Sequence, residues 1–326
     1  MIRWAVVGSG NMASLFLRDC QNSTQGRFTA VYSHNQERAE TFAREHELES
    51  AYSDLDQMLA SDAIDAVYIA STHPNHAPQA IKALQAGKHV LVEKPMALSE
   101  SQTRAVFDAA RQNNCFCAEA LWTKFSPTYQ SLIRQLREGR IGDVRHVSAN
   151  FAFTIDLSDT RHRLLNPEHA GGALLDIGLY TLFLPMALMG EPTQTTAVVT
   201  HGEMGVDLSS DVILEFGEGR SAALSYRFDA MMPMKATISG SKGWVELEAP
   251  FFAGNALHWG EAGKPVVTEH VPLPNRGWGT EFDQVNTHIA AGDLEASVHT
   301  QQDSLQLARL LESLRREHGP IFPFES

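Results

Sequence analysis

Through the first 120 residues, short apolar runs alternate with stretches of helical period. Residues 4–7, 28–32, 66–70, 89–92 and 115–118 have the length and composition of buried strands. Between them, Met12, Leu15, Phe16 and Cys20 fall three and four apart, one face of an amphipathic helix. Ser99 stands as a cap before a second such face, Val106, Phe107 and Ala110. Strand, helix and strand at this spacing predict a doubly wound parallel sheet, a Rossmann α/β domain, over residues 1–121. Past Leu121 the period changes. Helical segments give way to alternation in 212–216, 222–228, 236–239 and 244–248, punctuated by the glycine pairs Gly217/Gly219 and Gly240/Gly243. Leu305, Leu307, Ala308, Leu311 and Leu314 mark a closing helix. An α+β domain over 122–326 is therefore expected.

Composition agrees with this division. At roughly 150 residues per domain, 326 residues make two domains, and 43% hydrophobic residues supply their cores. The formal charge of −13 is spread without a basic block, which argues against a nucleic-acid partner but leaves room for a small pocket for one phosphate. Cys20, Cys115 and Cys117 make neither a disulfide framework nor a metal motif, so no metal is expected and a reducing compartment fits. With no apolar stretch of the roughly 20 residues a membrane span needs, and an opening on a core strand, the expected location is cytoplasmic, away from any membrane.

The candidate chemistry sits at strand ends. Gly8-Ser9-Gly10-Asn11-Met12-Ala13 joins the first strand to the first helix. Gly8 suits the tight turn, Gly10 lets a pyrophosphate approach the backbone, and Ala13 allows close packing, while the helix N-terminus presents N–H groups to the anion. The second strand runs out at Ser33 and His34, followed by Glu37 and Arg38, where an NAD site usually carries an acid. Ser33, His34 and Arg38 offer neutral or cationic donors to a 2′-phosphate, which selects NADP over NAD if Glu37 turns outward as a first-turn acid. Ser71, Thr72 and Asn75 border the cofactor; His76 reads equally as an early helix residue and His73 as an exposed loop residue. Glu93-Lys94-Pro95 leaves a strand on the same edge, with Lys94 a positioned cation. Finally, Asp176 and Tyr180, four apart at the start of the apolar segment after Gly171-Gly172, would share one helix face.

Together the glycine motif, Glu93-Lys94-Pro95 and Gly171-Gly172-Ala-Leu-Leu-Asp176-Ile-Gly-Leu-Tyr180 resemble the glucose-fructose oxidoreductase and inositol dehydrogenase (Gfo/Idh/MocA) family across nearly the whole chain. Within it, Glu119-Ala-Leu-Trp122-Thr-Lys124-Phe125 is most similar to the dimeric dihydrodiol dehydrogenase branch and its sugar-dehydrogenase relatives. The resemblance implies a Rossmann domain followed by an α+β domain with a large, mostly antiparallel open sheet. It implies a catalytic Lys94 before a cis proline at Pro95, oriented by Asp176, with Tyr180 as the acid-base group. Inositol dehydrogenase-like members carry histidine where this chain has Tyr180, and the dihydrodiol branch often carries arginine at Lys124.

From residues and resemblance the expected activity is an NADP-dependent oxidoreductase of a sugar or cyclic diol. Tyr180 would exchange the proton, Lys94 would favour the phenolate and bind the substrate oxygen, Asp176 would hold Lys94, and Trp122 and Lys124 would contact substrate. A non-catalytic NADP-binding sensor with the same fold is the alternative. Tyr226, Phe228, Ile238 and Trp244 suggest an exposed apolar sheet face and hence a homodimer or higher homo-oligomer.

Overall fold

Both faces of the first sheet are buried, which is why its strands read as continuous apolar runs. In the computed structural model, which describes residues 1–274 and 276–325, β1 (Ile2–Val7), β2 (Gly26–Tyr32), β3 (Ser50–Tyr52), β4 (Ala66–Ile69), β5 (His89–Glu93) and β6 (Cys117–Ala120) pair in parallel in the order β3-β2-β1-β4-β5-β6. This is the doubly wound order, and it reverses between β1 and β4, at whose carboxyl edge ligands bind in such sheets. Ala5 and Val7 enter one core and Trp4 and Val6 the other. The crossovers are α1 (Asn11–Cys20), α2 (Gln36–Glu45), α3 (Leu55–Leu59), α4 (His73–Gln85) and α5 (Glu100–Gln112). α1 buries Ala13 and Leu17 with Phe16 and Cys20, so its inner face is rotated from the one expected, and Met12 and Leu15 are half-buried. Ser99 caps α5, its Oγ accepting from the Gln102 amide at 3.2 Å.

The second sheet comprises β7 (Val144–Ala152), β8 (Gln194–His201), β9 (Asp207–Glu215), β10 (Ser221–Arg227), β11 (Ala236–Gly240), β12 (Gly243–Leu247), β13 (Ala256–Glu261) and β14 (Val267–His270). Their order is β14-β13-β12-β11-β7-β10-β9-β8, antiparallel throughout except where β10 runs parallel to β7. α6 (Pro127–Arg137) and α7 (Leu179–Met189) pack on it. Tyr226, Phe228 and Ile238 are fully buried and only Trp244 is half-buried, so they do not form the exposed apolar face expected of them. The segment Pro167–Met189 is apolar and long enough by composition to cross a membrane, contrary to the expectation that no stretch is. It is instead 83% buried over its most apolar window, a helix hydrophobic all round because it is core.

The chain forms two compact units, Met1–Ser126 with Pro274–Ala308, and Pro127–Leu273 with the chain from Arg309 onward. This differs from the expected division into 1–121 and 122–326, because α8 (Trp278–Ala291) and the start of α9 (Gln301–His318) return to the Rossmann unit. Phe282 and Val285 of α8 complete its second core, and Asn286 Oδ1 accepts from Trp4 Nε1 at 2.9 Å.

Candidate active site

The chain leaves β1 through Gly8, whose φ of 109° favours glycine; a Cβ there would lie 2.6 Å from the Ala70 carbonyl oxygen. At Gly10 a Cβ would point into open space, the opening a pyrophosphate requires. Gly10 heads α1, which has no side-chain cap, so the first-turn N–H groups of Asn11, Met12 and Ala13 have no helical acceptor. At the end of β2, Ser9 Oγ donates to Ser33 Oγ at 3.1 Å, and His34 is exposed. Asn35 caps α2, accepting from the Arg38 amide at 2.9 Å. A cavity of about 260 Å³ lies alongside, lined by Ser9, Glu37, Arg38, Thr41, Phe42 and Glu45. Glu37 thus faces the cavity together with Arg38 rather than turning away from it.

Beyond β4, Ser71 Oγ donates to Gln79 Oε1 at 2.7 Å and Asn75 Nδ2 to Thr72 Oγ1 at 2.9 Å, tying these residues to the first turns of α4. His73 is buried at the start of that helix, not exposed in a loop. His76 is buried too, with Nδ1 2.8 Å from the Pro95 carbonyl oxygen and Nε2 3.2 Å from that of Ser71. Burial lowers its pKa, so the neutral ring donates through Nδ1 on the shorter contact. Both nitrogens, candidates to border the cofactor, face backbone, so that His76 grips the loop after β5. That loop carries a half-buried Lys94 and a cis Lys94–Pro95 peptide. Buried Glu93 accepts from the Tyr68 hydroxyl, which burial and the Glu93 charge keep protonated. The Met96 amide donates to Glu119 Oε1 at 2.8 Å.

Trp122 and Lys124 lie on a single 3₁₀ turn, Trp122–Phe125. The Trp122 ring is 5.7 Å from that of Trp278. Lys124 is buried, and its ammonium donates to Asp303 Oδ2 at 2.9 Å and to His299 Nδ1 at 3.1 Å. The ammonium expected to contact substrate is thus engaged by two side chains of its own unit. No sequence spacing announces them, because Asp303 and His299 stand far along the chain, in the segment that returns to this unit.

In the second unit, Gly172 has a φ of 122°, and a Cβ on it would meet Asp207 Oδ1 at 2.1 Å. Asp207 accepts from the Leu174 amide at 2.6 Å, and burial pushes its carboxyl up to about 6. Leu174–Gly178 winds as a π-helical turn that runs into α7. Asp176 lies within that turn and Tyr180 in the first turn of α7, so the plain i, i+4 face of one α-helix is not the local geometry. Asp176 Oδ1 accepts from Arg163 Nη2 at 3.2 Å, a partner the sequence did not announce. The Tyr180 ring is buried, 5.7 Å from Phe151 and 5.5 Å from Phe252.

Comparison with known proteins places these features in context. Residues 2–121 match the model of an oxidoreductase family with an NAD-binding Rossmann fold, and residues 129–246 match the GFO/IDH/MocA C-terminal domain. The chain is 31% identical over 332 residues to trans-1,2-dihydrobenzene-1,2-diol dehydrogenase of Xenopus laevis, covering 98% of this chain and 99% of that protein. It is 32% identical over 328 residues to an NADP(+)-dependent scyllo-inositol 2-dehydrogenase of Bacillus subtilis, covering 99% of each. Among solved structures, an aldose-aldose oxidoreductase from Caulobacter crescentus complexed with glycerol superposes with a TM-score of 0.86 at 27% identity, covering 97% of this chain and 96% of that one. A 3-ketoreductase from Actinomadura kijaniata, in complex with NADP and TDP-benzene, shares the fold at a TM-score of 0.87 and 24% identity, covering 97% of each chain.

Proposed function

This chain belongs to the Gfo/Idh/MocA family of NAD(P)-dependent oxidoreductases, and on that premise we propose that it uses NADP to interconvert a hydroxyl and a carbonyl group on a sugar, cyclic polyol or diol. The nucleotide fits this chain's own residues. Gly10 leaves the space a Cβ would fill, the first turn of α1 is uncapped, and Ser33 and Arg38 stand where an NAD site would hold an acid. When bound, the nicotinamide supplies or accepts the hydride. Tyr180 takes the alcohol proton in oxidation and returns one to the carbonyl oxygen in reduction. Lys94 donates to the same substrate oxygen and stabilises charge that develops there. The Trp122 ring walls the substrate.

The observation that carries this reading is the bracing of residues 93–96. A half-buried lysine at the carboxyl edge of a doubly wound sheet is followed directly by two clamped backbone groups, the Pro95 carbonyl held by His76 and the Met96 amide held by Glu119. A surface lysine with no task has no need of two buried clamps. Incubation with a panel of sugars, inositols and cyclic diols, with NADP and NAD, following reduced-nicotinamide absorbance in both directions, tests it. Turnover with NADP is expected. NADP binding without turnover on any member would instead favour the binding-protein alternative.

A further inference from the structure

The buried polar chain behind the Lys94 loop has no role in the proton and hydride chemistry above, yet it ends on that loop. We infer that Glu119 and His299 are positioning residues for Lys94, and that the segment of chain returning from the second unit supplies the brace that holds the catalytic loop; this rests on Lys94 being catalytic.

Three donors converge on the Glu119 carboxylate. The Met96 amide donates to Oε1 at 2.8 Å, His299 Nε2 lies 3.0 Å from Oε2, and the Ser304 hydroxyl also hydrogen-bonds the group. The tautomer of His299 follows from its other neighbour. Lys124 has only protons to give, so Nδ1, at 3.1 Å from its Nζ, must accept, and the ring proton sits on Nε2 facing Glu119. Burial and the Lys124 charge keep the ring neutral, while its bonds to His299, Ser304 and Met96 hold Glu119 ionised against burial. Asp303 closes the chain, accepting from Lys124 at 2.9 Å and from the Thr300 amide at 3.0 Å. The order is Asp303, Lys124, His299, Glu119, Met96.

Glu119, His299 and Lys124 are each at most 5% exposed, so each charge is largely desolvated. Apolar replacements of such buried networks are often neutral or stabilising, so stability alone is a weak reason to retain this one. Direction is a better reason. A carboxylate with three donors has one orientation, and it fixes the amide two residues beyond Lys94, while His76 holds the intervening Pro95 carbonyl. Lys94 is thereby fixed from the side of the chain that follows it. Glutamine could not replace Glu119 without turning an NH₂ group toward one of those donors.

Three variants test the brace: Glu119→Gln, His299→Leu and His299→Gln, the last keeping an acceptor for Lys124 and a donor for Glu119. They are assayed on the best substrate from the panel, beside Lys94→Met. Because misplacement by about 1 Å costs on the order of 10²-fold, Glu119→Gln and His299→Leu should lower kcat by roughly 10- to 100-fold. Substrate KM and NADP Kd should stay within about threefold. In the NADP-bound enzyme the Met96 amide should exchange its hydrogen at least about tenfold faster, since its bond to Glu119 is the one weakened. His299→Gln should recover most of the loss. If Lys94→Met turns over normally, the assignment of Lys94 fails first and the two failures are told apart. If Lys94→Met is inactive while Glu119→Gln keeps wild-type kcat and Met96 exchange, the brace is overturned. It is overturned as well if kcat falls only together with NADP affinity and melting temperature, which is general loosening. Should His299→Leu not fold, the isosteric Glu119→Gln decides alone.

Discussion

Tyr180 carries its hydroxyl on a ring packed near Phe151 and Phe252, so Tyr180→Phe removes one oxygen and leaves the packing in place. Turnover should fall on the order of 10²- to 10⁴-fold, the usual share of an acid-base group, with NADP affinity nearly unchanged by fluorescence titration. Near-normal turnover would move the proton role to another group. At the other end of the cofactor site, Arg38→Ala should raise the Kd for NADP by roughly tenfold or more while leaving that for NAD alone, since a guanidinium matters chiefly to the extra phosphate. Glu37 and Glu45 line the same cavity, so tighter binding of NAD than NADP to the wild type would reverse the preference proposed here. The residues legible in the sequence are those whose meaning is local: Gly8 and Gly10 at a strand-helix turn, Lys94 at a strand exit. Lys124 and His76 were harder because their meaning lies in their partners. His299 is 175 residues from Lys124, and no spacing rule joins them.

Asp207 shows how an element start is held. Its carboxyl accepts from the Leu174 amide where the π turn begins, and Gly172 is glycine because a Cβ would collide with it. Burial pushes this acid up from 3.8 to about 6, so the folded state holds its proton more tightly than the unfolded chain does. Stability from this group is therefore complete below about pH 4 and is lost as pH rises through about 6, at roughly 1.4 kcal/mol per pKa unit and at most ~3 kcal/mol in all. Relative to Asp207→Asn, whose amide oxygen still accepts from Leu174, the wild type should lose stability between about pH 4 and 6.5, measured by urea unfolding. A constant difference across that range would mean the carboxyl titrates at its ordinary value. Elements announced themselves where burial was strong and regular, as in β1, β4 and β5. β3 is three half-buried residues, and β8 exposes alternate positions including Val198, so neither carries much apolar signal. The apolar pattern of α8 is that of any amphipathic helix; what assigns it to the Rossmann unit is contact with Trp4 and the second core, which no window of sequence contains.

At the scale of the molecule, the surface through which self-association would run differs from the one expected. Tyr226, Phe228 and Ile238 are interior, so the outward side of the second sheet has to be read from its register. Thr196 opposes Ile213, which opposes Ala223, then Ser148 and Thr237, a row of mostly small side chains on one face across β8, β9, β10, β7 and β11. On the same face Val198 is 70% exposed and Ile213 45% exposed, and buried Ser225 Oγ has no hydrogen-bond partner. β8 is also an edge strand, with backbone groups open to pairing. A broad face of short side chains lets an identical face approach closely, and two-fold pairing of one patch with itself is the commonest closed assembly. We expect at least a dimer at micromolar concentration, through a patch of about 800 Å² per partner. Sedimentation should report twice the chain mass of 35.9 kDa or more. Ala223→Arg, which places a long cation in the middle of the row, should return the mass to that of one chain without unfolding the sheet, because the side chain it lengthens is half-buried rather than core. A monomeric wild type would sink the proposal. A wild-type oligomer unmoved by Ala223→Arg would place the interface elsewhere on the surface.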